Sequence, residues 1–397
     1  MSTTIGSTLA RHKGMGPGFD LMRLGLACAI FYGHAKWIAG SSAGPATLVN
    51  ELVANGMDLD QARAAALDMS PLASIKRACH LALVPMFFAL SGFLVSGSAE
   101  RLRAVKPFLA FRILRIVPAL SVEVVLSALV LGPLFTTLAL TDYLTHPEFV
   151  RYFGNIAGIV HLSLPGVFAG NPATDNINVN LWTLPSEFYC YLIAALLIAT
   201  GILFRPVVLL VAMSLVTAIL LAASLLVDFG VTMGNIYGAP VVSYYFFVGC
   251  VFYQWRDRIP FRAVYFVLAC VLACVSMAFP HGVFLAPAFL TYATVYVGCI
   301  GWPRLPLIHR GDYSYGIYLY GFPITQALVA TVPALRGHEN WLALAAGALT
   351  VAFAVASWHV VEKPMLRFKR HFGARVAPQT TDQRRPTTGQ PAMAQAA

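Results

Sequence analysis

The stretch FDLMRLGLACAIFYGHAKWIA, residues 19–39, is apolar for the length that one helix needs to cross a bilayer. The rest of the chain has the same character, because 58% of its 397 residues are hydrophobic and only 11% are charged. A water-soluble domain carries about 25% charged residues. Together with a mean hydropathy of +0.71, this composition predicts an all-α, polytopic integral membrane protein.

The same stretch carries two ionisable residues, Arg23 and His34, eleven positions apart. Eleven helical steps leave these side chains about 20° apart around the helix and about 16 Å apart along its axis. Ionisable residues are costly inside a membrane and by default mark a functional path. The spacing suits a long ligand with a negative head at Arg23 and a reactive end at His34. A snorkelling arginine and a buried, hydrogen-bonded histidine are the structural alternatives.

About ten segments have the length and composition of membrane-spanning helices. They are residues 19–39, 79–98, 116–139, 181–203, 206–227, 239–255, 263–279, 283–301, 314–332 and 341–361. The first is expected to be retained, because the cleavage site of a signal peptide does not follow it. Another apolar run, residues 154–168, is too short to span and is interpreted as interfacial or re-entrant.

The basic residues predict the orientation of these spans. If the N-terminus is cytoplasmic and the spans alternate, the cytoplasmic side receives 21 of the 27 lysines and arginines. Cytoplasmic loops are enriched in these residues, so both termini are predicted to be cytoplasmic. The formal net charge of +10 therefore reflects the topology in the lipid bilayer, and no nucleic-acid partner is expected.

The spans predict one transmembrane domain, residues 19–371, preceded by a cytoplasmic N-terminal segment, residues 1–18. The remaining residues, 372–397, are polar and rich in Pro, Gln and Thr, and are predicted to form a disordered cytoplasmic tail. Two long outer segments, residues 40–78 and 140–180, have the length of functional loops.

The first outer segment is expected to contain one short helix, around Asp58 to Leu67. The seven cysteines fall in or at the ends of apolar runs, without the histidines or carboxylates of a metal-binding pattern. We expect them to pack in the core, and we expect neither a disulfide framework nor a metal.

Arg112 and Arg115 lie three positions apart at the predicted cytoplasmic start of the third span. Side chains with this spacing share a helix face, and two guanidinium groups there can bind phosphate oxygens. An ordinary basic flank of a membrane helix is the alternative. In the second span, Pro85 and Gly92 interrupt the apolar run and permit either a kink or a close approach between helices.

Glu187 lies near Trp182 at the predicted outer start of the fourth span. A carboxylate in an apolar run needs a partner, so Glu187 either orients a histidine, holds a sugar hydroxyl or joins two helices. Glu123, in the middle of the third span, has no surrounding motif, and a structural role is favoured for it. Four tyrosines near the start of the ninth span either line a wet cavity or form an aromatic belt, namely Tyr313, Tyr315, Tyr318 and Tyr320. We favour the belt or packing for at least two of them.

Taken together, these motifs resemble the acyltransferase-3 family of bacterial integral-membrane acyltransferases. The resemblance covers about residues 19–371 and rests on six motifs in order. They are Asp20-x-x-Arg23-x10-His34, FFALSGFL (87–94), FRILRIVPA (111–119), LWTLPSEFYCYL (181–192), YSYGIYLYGFP (313–323) and VVEKPMLRF (360–368). One departure is Tyr320-Gly321-Phe322, where many members have Trp-His before the proline. Many relatives also carry an esterase-like domain after the last span, which is not expected here.

The resemblance implies an O-acyltransferase of the bacterial inner membrane. Such an enzyme takes an acyl group, often acetyl, from cytoplasmic acyl-coenzyme A and delivers it to a sugar hydroxyl of a surface, exported or lipid-linked glycan. By the matching positions, His34 is the expected catalytic histidine. The residues expected to bind coenzyme A or shape its acyl channel are Arg23, Arg112, Arg115, Phe87, Phe88, Ser91 and Gly92.

We predict that His34 removes the hydroxyl proton as a general base, because an imidazole exchanges protons near neutral pH. A covalent acyl-histidine is the alternative route. Glu187 is expected to orient His34 or, with Trp182, to bind the acceptor. Two functions from other classes stay open at this point, a secondary transporter and a glycan flippase without acyl-transfer chemistry.

Overall fold

The computed structural model describes residues 3–12, 14–41, 53, 56–58, 61, 71–226, 239–278, 281–302 and 311–373. Within this part of the chain the regular structure is helical, and extended pairing is limited to isolated bridges. The predicted all-α class is therefore confirmed. The expected helix around Asp58 to Leu67 lies outside the described residues except for Asp58 and Gln61, and so does the tail from residue 374 onward.

The described part of the chain contains ten helices of fourteen residues or more. They are α1 (Phe19–Ile38), α2 (Pro71–Leu102), α3 (Val105–Leu126), α4 (Thr183–Ala199), α5 (Pro206–Leu226), α6 (Ala239–Gln254), α7 (Ala263–Ala278), α8 (Ala286–Cys299), α9 (Ser314–Thr331) and α10 (Glu339–Ser357). Each predicted span overlaps one of these helices. Shorter helical segments are Ile5–Arg11, Ser127–Leu131, Gly132–Phe135, Leu140–Thr145, Pro147–Tyr152, Phe153–Ala157, Val179–Trp182, Ile202–Phe204, His281–Phe284, Pro333–Leu335, Trp358–Glu362, Lys363–Arg367 and Lys369–Gly373.

Five helical stretches in the described residues are long and apolar enough to cross a membrane. They are Cys79–Leu102, Val105–Phe135, Val179–Ala199, Pro206–Leu226 and Glu339–Phe372. Large apolar side chains on these stretches are exposed, such as Leu226 at 85% and Leu344 at 65%, which suits contact with lipid. The chain is thus a multi-pass membrane protein. The number of ten spans and the cytoplasmic position of both termini stay predictions.

Helix α2 is continuous from Pro71 to Leu102 with Pro85 inside it, so the predicted interruption of the second span does not end the helix. Gly92 provides a close helix approach instead. A Cβ atom built on Gly92 would lie 1.8 Å from the carbonyl oxygen of Phe246 on α6. Gly249 of α6 has the reciprocal contact, since its Cβ atom would lie 2.1 Å from the carbonyl oxygen of Ala89. The two glycines therefore let the backbones of α2 and α6 touch.

The segment between α3 and α4 docks on α9 through buried asparagines. Asn171 donates to the main-chain and side-chain oxygens of Gln326, both at 2.9 Å. Asn178 donates to Leu319 O at 2.8 Å and to Glu123 Oε1 at 2.9 Å. The bond from Asn178 gives Glu123 the structural role favoured for it, as a bridge between this segment and α3.

Phe153–Ala157 form a 3-10 turn, and residues 158–168 contain no helix. The interfacial or re-entrant position of residues 154–168 stays a prediction. Cys190, Cys250 and Cys299 are buried in the core as expected. The expectation is wrong for two others, Cys28 and Cys79, which are exposed.

Candidate active site

A cavity lies between α1, α2, α3, α4 and α9. Its charged lining consists of Arg23, Arg112, Arg115 and Glu187, and we call it the arginine cavity. Its uncharged lining residues are Ile30, Val84, Phe87, Phe88, Ser91, Leu94, Val95, Ile116, Thr183, Leu184, Tyr191, Ser314, Tyr315 and Tyr318. Three cations and one carboxylate on a wall of apolar residues, tyrosines and hydroxyls suit a ligand that is both anionic and partly apolar.

A second cavity adjoins the first, and we call it the histidine cavity. It is lined by Ile30, His34, His80, Leu83, Val84 and Trp182. Ile30 and Val84 belong to the walls of both cavities. The two spaces are therefore neighbours along the same pair of helices, α1 and α2.

Helix α1 directs three residues at these cavities. Ile30 follows Arg23 by seven positions and precedes His34 by four, so all three share one face of the helix. Arg23 lines the arginine cavity, His34 lines the histidine cavity, and Ile30 lines both. The shared face that the sequence indicated thus faces internal space along about three helical turns.

Asp312, just before the start of α9, organises two of the arginines. Its Oδ2 atom lies 2.8 Å from Nη2 of Arg23 and accepts a hydrogen bond from Arg115. Ser314 donates to its other oxygen at 2.6 Å. Burial acts to raise the pKa of the Asp312 carboxyl, but Arg115 and Arg23 outweigh burial and hold this pKa well below its usual range. The carboxylate is therefore ionised at neutral pH and fixes both guanidinium groups at the cavity wall.

Arg112 has a different environment from the other two arginines. It donates to Ser98 Oγ at 3.0 Å, and its guanidinium lies over the rings of Phe108 and Tyr191, at 5.8 Å from each centroid. It forms no ion pair within the described part of the chain, and its buried Nε atom has no hydrogen-bond partner there. An unpaired, partly unsatisfied cation in a cavity wall is a place for an anionic ligand.

The structure groups Glu187 with the arginine cavity rather than with His34. Its carboxylate accepts a hydrogen bond from Tyr191, one turn further along α4. Trp182, its neighbour in the sequence motif, lines the histidine cavity. The expected role of Glu187 in orienting His34 thus receives no support from its position. Glu187 instead lines the arginine cavity together with Tyr191.

Of the four residues expected to shape the acyl channel, three line the arginine cavity and one does not. Phe87, Phe88 and Ser91 line the arginine cavity. Gly92 lines neither cavity, because its missing Cβ faces the backbone of α6. Its position therefore supports helix packing rather than contact with an acyl chain.

Two of the four tyrosines near the start of α9 line the arginine cavity, and two pack elsewhere. Tyr315 donates to Ile116 O at 3.0 Å, and Tyr318 shares a hydrogen bond of 2.7 Å with Thr183. Tyr313 packs edge-on against Trp358, and Tyr320 donates to Ser357 at 3.2 Å. The α9 motif therefore contributes both to the cavity wall and to helix packing.

His34 lies edge-on against Phe322, with ring centroids 5.3 Å apart, and its buried Nδ1 atom has no hydrogen-bond partner among the described residues. A second histidine, His80 of α2, lines the same cavity and is exposed. It packs on Gly33, where a Cβ atom would lie 2.6 Å from His80 Cε1. Sequence reasoning did not single out His80, because it belongs to no recognised motif.

Comparisons with known proteins give the relationships of the chain. A family model described as an acyltransferase domain matches residues 17–359. An O-acetyl transferase of Shigella phage Sf6 is 29% identical over 294 residues, which cover 71% of this chain and 84% of the relative. Nodulation protein 10 of Rhizobium leguminosarum bv. viciae is 26% identical over 396 residues, which cover 94% of this chain and 99% of the relative. No solved structure matches the chain.

Proposed function

The chain belongs to the acyltransferase family whose domain covers residues 17–359, and is an O-acyltransferase of the membrane; from that premise we propose its substrates. The donor in this proposal is acyl-coenzyme A, with acetyl as the acyl group, and the acceptor is a sugar hydroxyl of a surface or exported glycan. The observation that carries the proposal is the pair of adjoining cavities, one lined by three arginines and the other by His34.

The arginine cavity fits the donor by charge and by shape. Coenzyme A is a polyanion with a long, mostly uncharged pantetheine arm that ends in the thioester. Arg23, Arg112 and Arg115 offer guanidinium groups to the phosphates, and each has five N–H donors, so contacts to Asp312 or Ser98 leave others free. Phe87 and Phe88 offer apolar surface to the arm.

The thioester reaches His34 along α1 in this proposal. His34 accepts the proton of the acceptor hydroxyl while the hydroxyl oxygen attacks the thioester carbonyl carbon. The carbon–sulfur bond then breaks, the ester is formed, and the proton passes from His34 to the thiolate of coenzyme A. The buried, unpartnered Nδ1 atom of His34 supports this role, because a buried ring nitrogen ordinarily has a hydrogen-bond partner.

The acceptor is proposed to approach from the other end of the path, through the histidine cavity. Trp182 offers the apolar face that sugar rings stack on, and the exposed His80 offers a second polar contact. Donor and acceptor thus meet inside the protein from opposite sides of the bilayer. The proposed location is the cytoplasmic membrane of a bacterium, with both termini on the coenzyme A side.

Transfer of a labelled acetyl group tests the proposal. Membranes that contain the protein, incubated with acetyl-coenzyme A labelled in the acetyl group, are expected to place label in a carbohydrate fraction. Mild alkali is expected to release this label, because an O-acetyl ester is alkali-labile. Membranes without the protein are the control. Label that is absent, or that stays bound in alkali, would contradict an O-acetyl transfer to sugar.

A further inference from the structure

Lys369 begins the last helical segment that the structure describes, Lys369–Gly373. This segment packs on α3, the helix that carries Arg112 and Arg115. The ammonium nitrogen of Lys369 lies over the ring of Phe111, 5.3 Å from its centroid. Phe111 directly precedes Arg112 in the chain. A fourth cation therefore lies beside the two arginines of α3.

No carboxylate pairs with this lysine within the described ranges. Lys369 forms no ion pair there, and the charged groups that act on it most strongly are Arg112 and Arg115, both cations. Neighbouring cations repel each other, and an anion that binds between them removes this repulsion. Lys369 is half-buried, so its ammonium group is within reach of a ligand. The pair formed by Lys369 and Arg112 is thus a place for an anionic group.

Two contacts show that α1 and α9 run in the same direction. Near the start of both helices, Arg23 pairs with Asp312, which lies just before α9. Further along both helices, His34 packs against Phe322. The end of the bundle at which Arg23 lies is therefore the end at which α9 starts.

Helix α3 runs in the same direction as α9. Tyr315, near the start of α9, donates to Ile116 O. One turn further along α9, Leu319 O accepts a hydrogen bond from Asn178, and the same amide group donates to Glu123 of α3. Both helices thus advance toward the same side of the bundle. The start of α3 therefore lies on the side away from the histidine cavity.

The cations consequently have a fixed order along the bundle. Phe111, which carries Lys369 over its ring, precedes Arg115 by four residues, about one turn or 6 Å toward the start of α3. Arg115 and Arg23 lie at one level, because both contact the same carboxylate oxygen. His34 lies about 16 Å beyond Arg23 along α1. The order is therefore an ammonium group, then the guanidinium groups, then an imidazole.

We propose that Lys369 binds the 3′-phosphate of coenzyme A and so selects a donor that carries this group. The inference rests on the proposed function, in which Arg23, Arg112 and Arg115 bind phosphates and the thioester reaches His34. Coenzyme A has its groups in the corresponding order. The thioester is at one end, the diphosphate follows the pantetheine arm, and the 3′-phosphate is on the ribose beyond the diphosphate. With the diphosphate on the arginines, the 3′-phosphate lies on the side away from His34, where Lys369 is.

A donor without the 3′-phosphate tests the inference. Acetyl transfer in membranes is measured with acetyl-coenzyme A and with acetyl-3′-dephospho-coenzyme A, for wild type and for Lys369→Gln. The KM of wild type is expected to be about tenfold higher for the dephospho donor, the effect of one lost charge-assisted contact. The two KM values of Lys369→Gln are expected to agree within about twofold, because the 3′-phosphate has lost its partner.

Two matched variants separate this contact from a general effect of charge. Arg370→Gln changes the next residue of the same segment, which is exposed, and is expected to keep the wild-type ratio of the two KM values. Lys369→Arg keeps the charge and is expected to keep most of this ratio. If the phosphate at Lys369 is that of a lipid headgroup, Lys369→Gln changes the KM for both donors by the same factor. That result, or an equal change of the ratio in Arg370→Gln, would overturn the inference.

The outcomes also separate this inference from the proposed function. If wild type transfers acetyl from both donors with the same KM, or if Lys369→Gln keeps the wild-type ratio, the role of Lys369 is wrong and the proposed function stands. If wild type transfers acetyl from neither donor, the proposed function itself fails. Acetyl transfer by Lys369→Gln at saturating acetyl-coenzyme A confirms that this variant is folded. Lys369→Met, which keeps the apolar stem over Phe111, takes its place in the assay if the glutamine variant does not insert.

Discussion

Arg23 and Asp312 form an ion pair that ties α1 to the residues just before α9, with Nη2 and Oδ2 2.8 Å apart. Arg115 of α3 contacts the same carboxylate oxygen, so one anion holds together three separate parts of the bundle. Two guanidinium groups at one wall repel each other unless an anion lies between them. Asp312 therefore preorganises the wall that we assign to the phosphates of the donor.

Replacement of Asp312 by Asn tests this organising role. Asn keeps the shape of the side chain but removes the charge, and it leaves Arg115 without its anion and Arg23 with the half-exposed Asp20 alone. We expect the free energy of unfolding in detergent to fall by about 3 kcal/mol. Coenzyme A is expected to restore more stability to the variant than it adds to wild type, because its phosphates replace the lost charge.

Asp20→Asn is the control, since Asp20 also pairs with Arg23 but is 50% exposed, and a change below about 1 kcal/mol is expected. Equal losses in both variants would contradict the special role of Asp312.

The difference in unfolding free energy between wild type and Asp312→Asn depends on pH through the pKa of Asp312, which its arginine partners lower. A lowered pKa in the folded state means that the stabilisation is fully present above about pH 4, the ordinary value of the group, and is lost as the pH falls further. The stability difference between wild type and Asp312→Asn is therefore expected to be constant from pH 5 to pH 8. A difference that shrinks within that range would show that the carboxylate is not held ionised.

Arg112 provides a test of donor binding, because it lines the cavity and forms no ion pair in the described residues. Arg112→Gln is expected to raise the KM for acetyl-coenzyme A about 10- to 100-fold, the effect of one lost charge-assisted hydrogen bond. The kcat is expected to stay within about twofold. Arg103→Gln is the control, since Arg103 lies over the ring of Phe204 and outside both cavities. A similar rise of KM in the control would indicate general attraction by surface charge.

The glycine contact between α2 and α6 leads to a prediction about stability alone. Gly92→Ala places a methyl group 1.8 Å from the carbonyl oxygen of Phe246, and the backbones have to separate. We expect a loss of about 1–3 kcal/mol in chemical unfolding. Gly25→Ala in α1 is the matched control, because nothing lies within 4 Å of its added methyl group. It is expected to be neutral or to stabilise by up to about 1 kcal/mol through helix propensity. A neutral Gly92→Ala would show that the two backbones are not in contact.

The sequence predicts the helices well because hydrophobic length alone defines them. Each of the ten predicted segments overlaps one long helix, and α1 begins at Phe19 as expected. The common face of Arg23 and His34 follows from helical periodicity, which needs no knowledge of the fold. Local reasoning did not decide between a kink and a close helix approach in the second span; α2 continues through Pro85, and Gly92 provides the close approach to α6.

The partners of the site residues depend on how helices pack, and spacing along the chain does not encode them. The pairing of Arg115 with Asp312 joins residues that are 197 positions apart. The same limit applies to Glu187, for which the sequence left open a histidine, a sugar hydroxyl or a neighbouring helix as the partner, and which accepts a hydrogen bond from Tyr191 in the fold. His80 shares a cavity with His34 because a turn of α2 contacts α1 at Gly33. No local sequence pattern indicates this contact.

Sealed vesicles of defined orientation test the proposed topology. Acetyl-coenzyme A does not cross membranes, and the arginine cavity is proposed to open to the cytoplasm. Inside-out vesicles are expected to release free coenzyme A from added acetyl-coenzyme A, and right-side-out vesicles are expected to do so only after permeabilisation. Equal rates with intact right-side-out vesicles would reverse the assigned orientation.

The most direct measurement of the account separates binding from chemistry at His34. In the His34→Gln variant the arginine cavity is unchanged, so acetyl-coenzyme A is expected to bind with a Kd within about twofold of wild type. Acetyl transfer is expected to fall at least about 100-fold, because the group that accepts the hydroxyl proton is gone. Transfer at the wild-type rate by correctly inserted His34→Gln protein would contradict the central claim that the imidazole of His34 accepts the hydroxyl proton during acyl transfer.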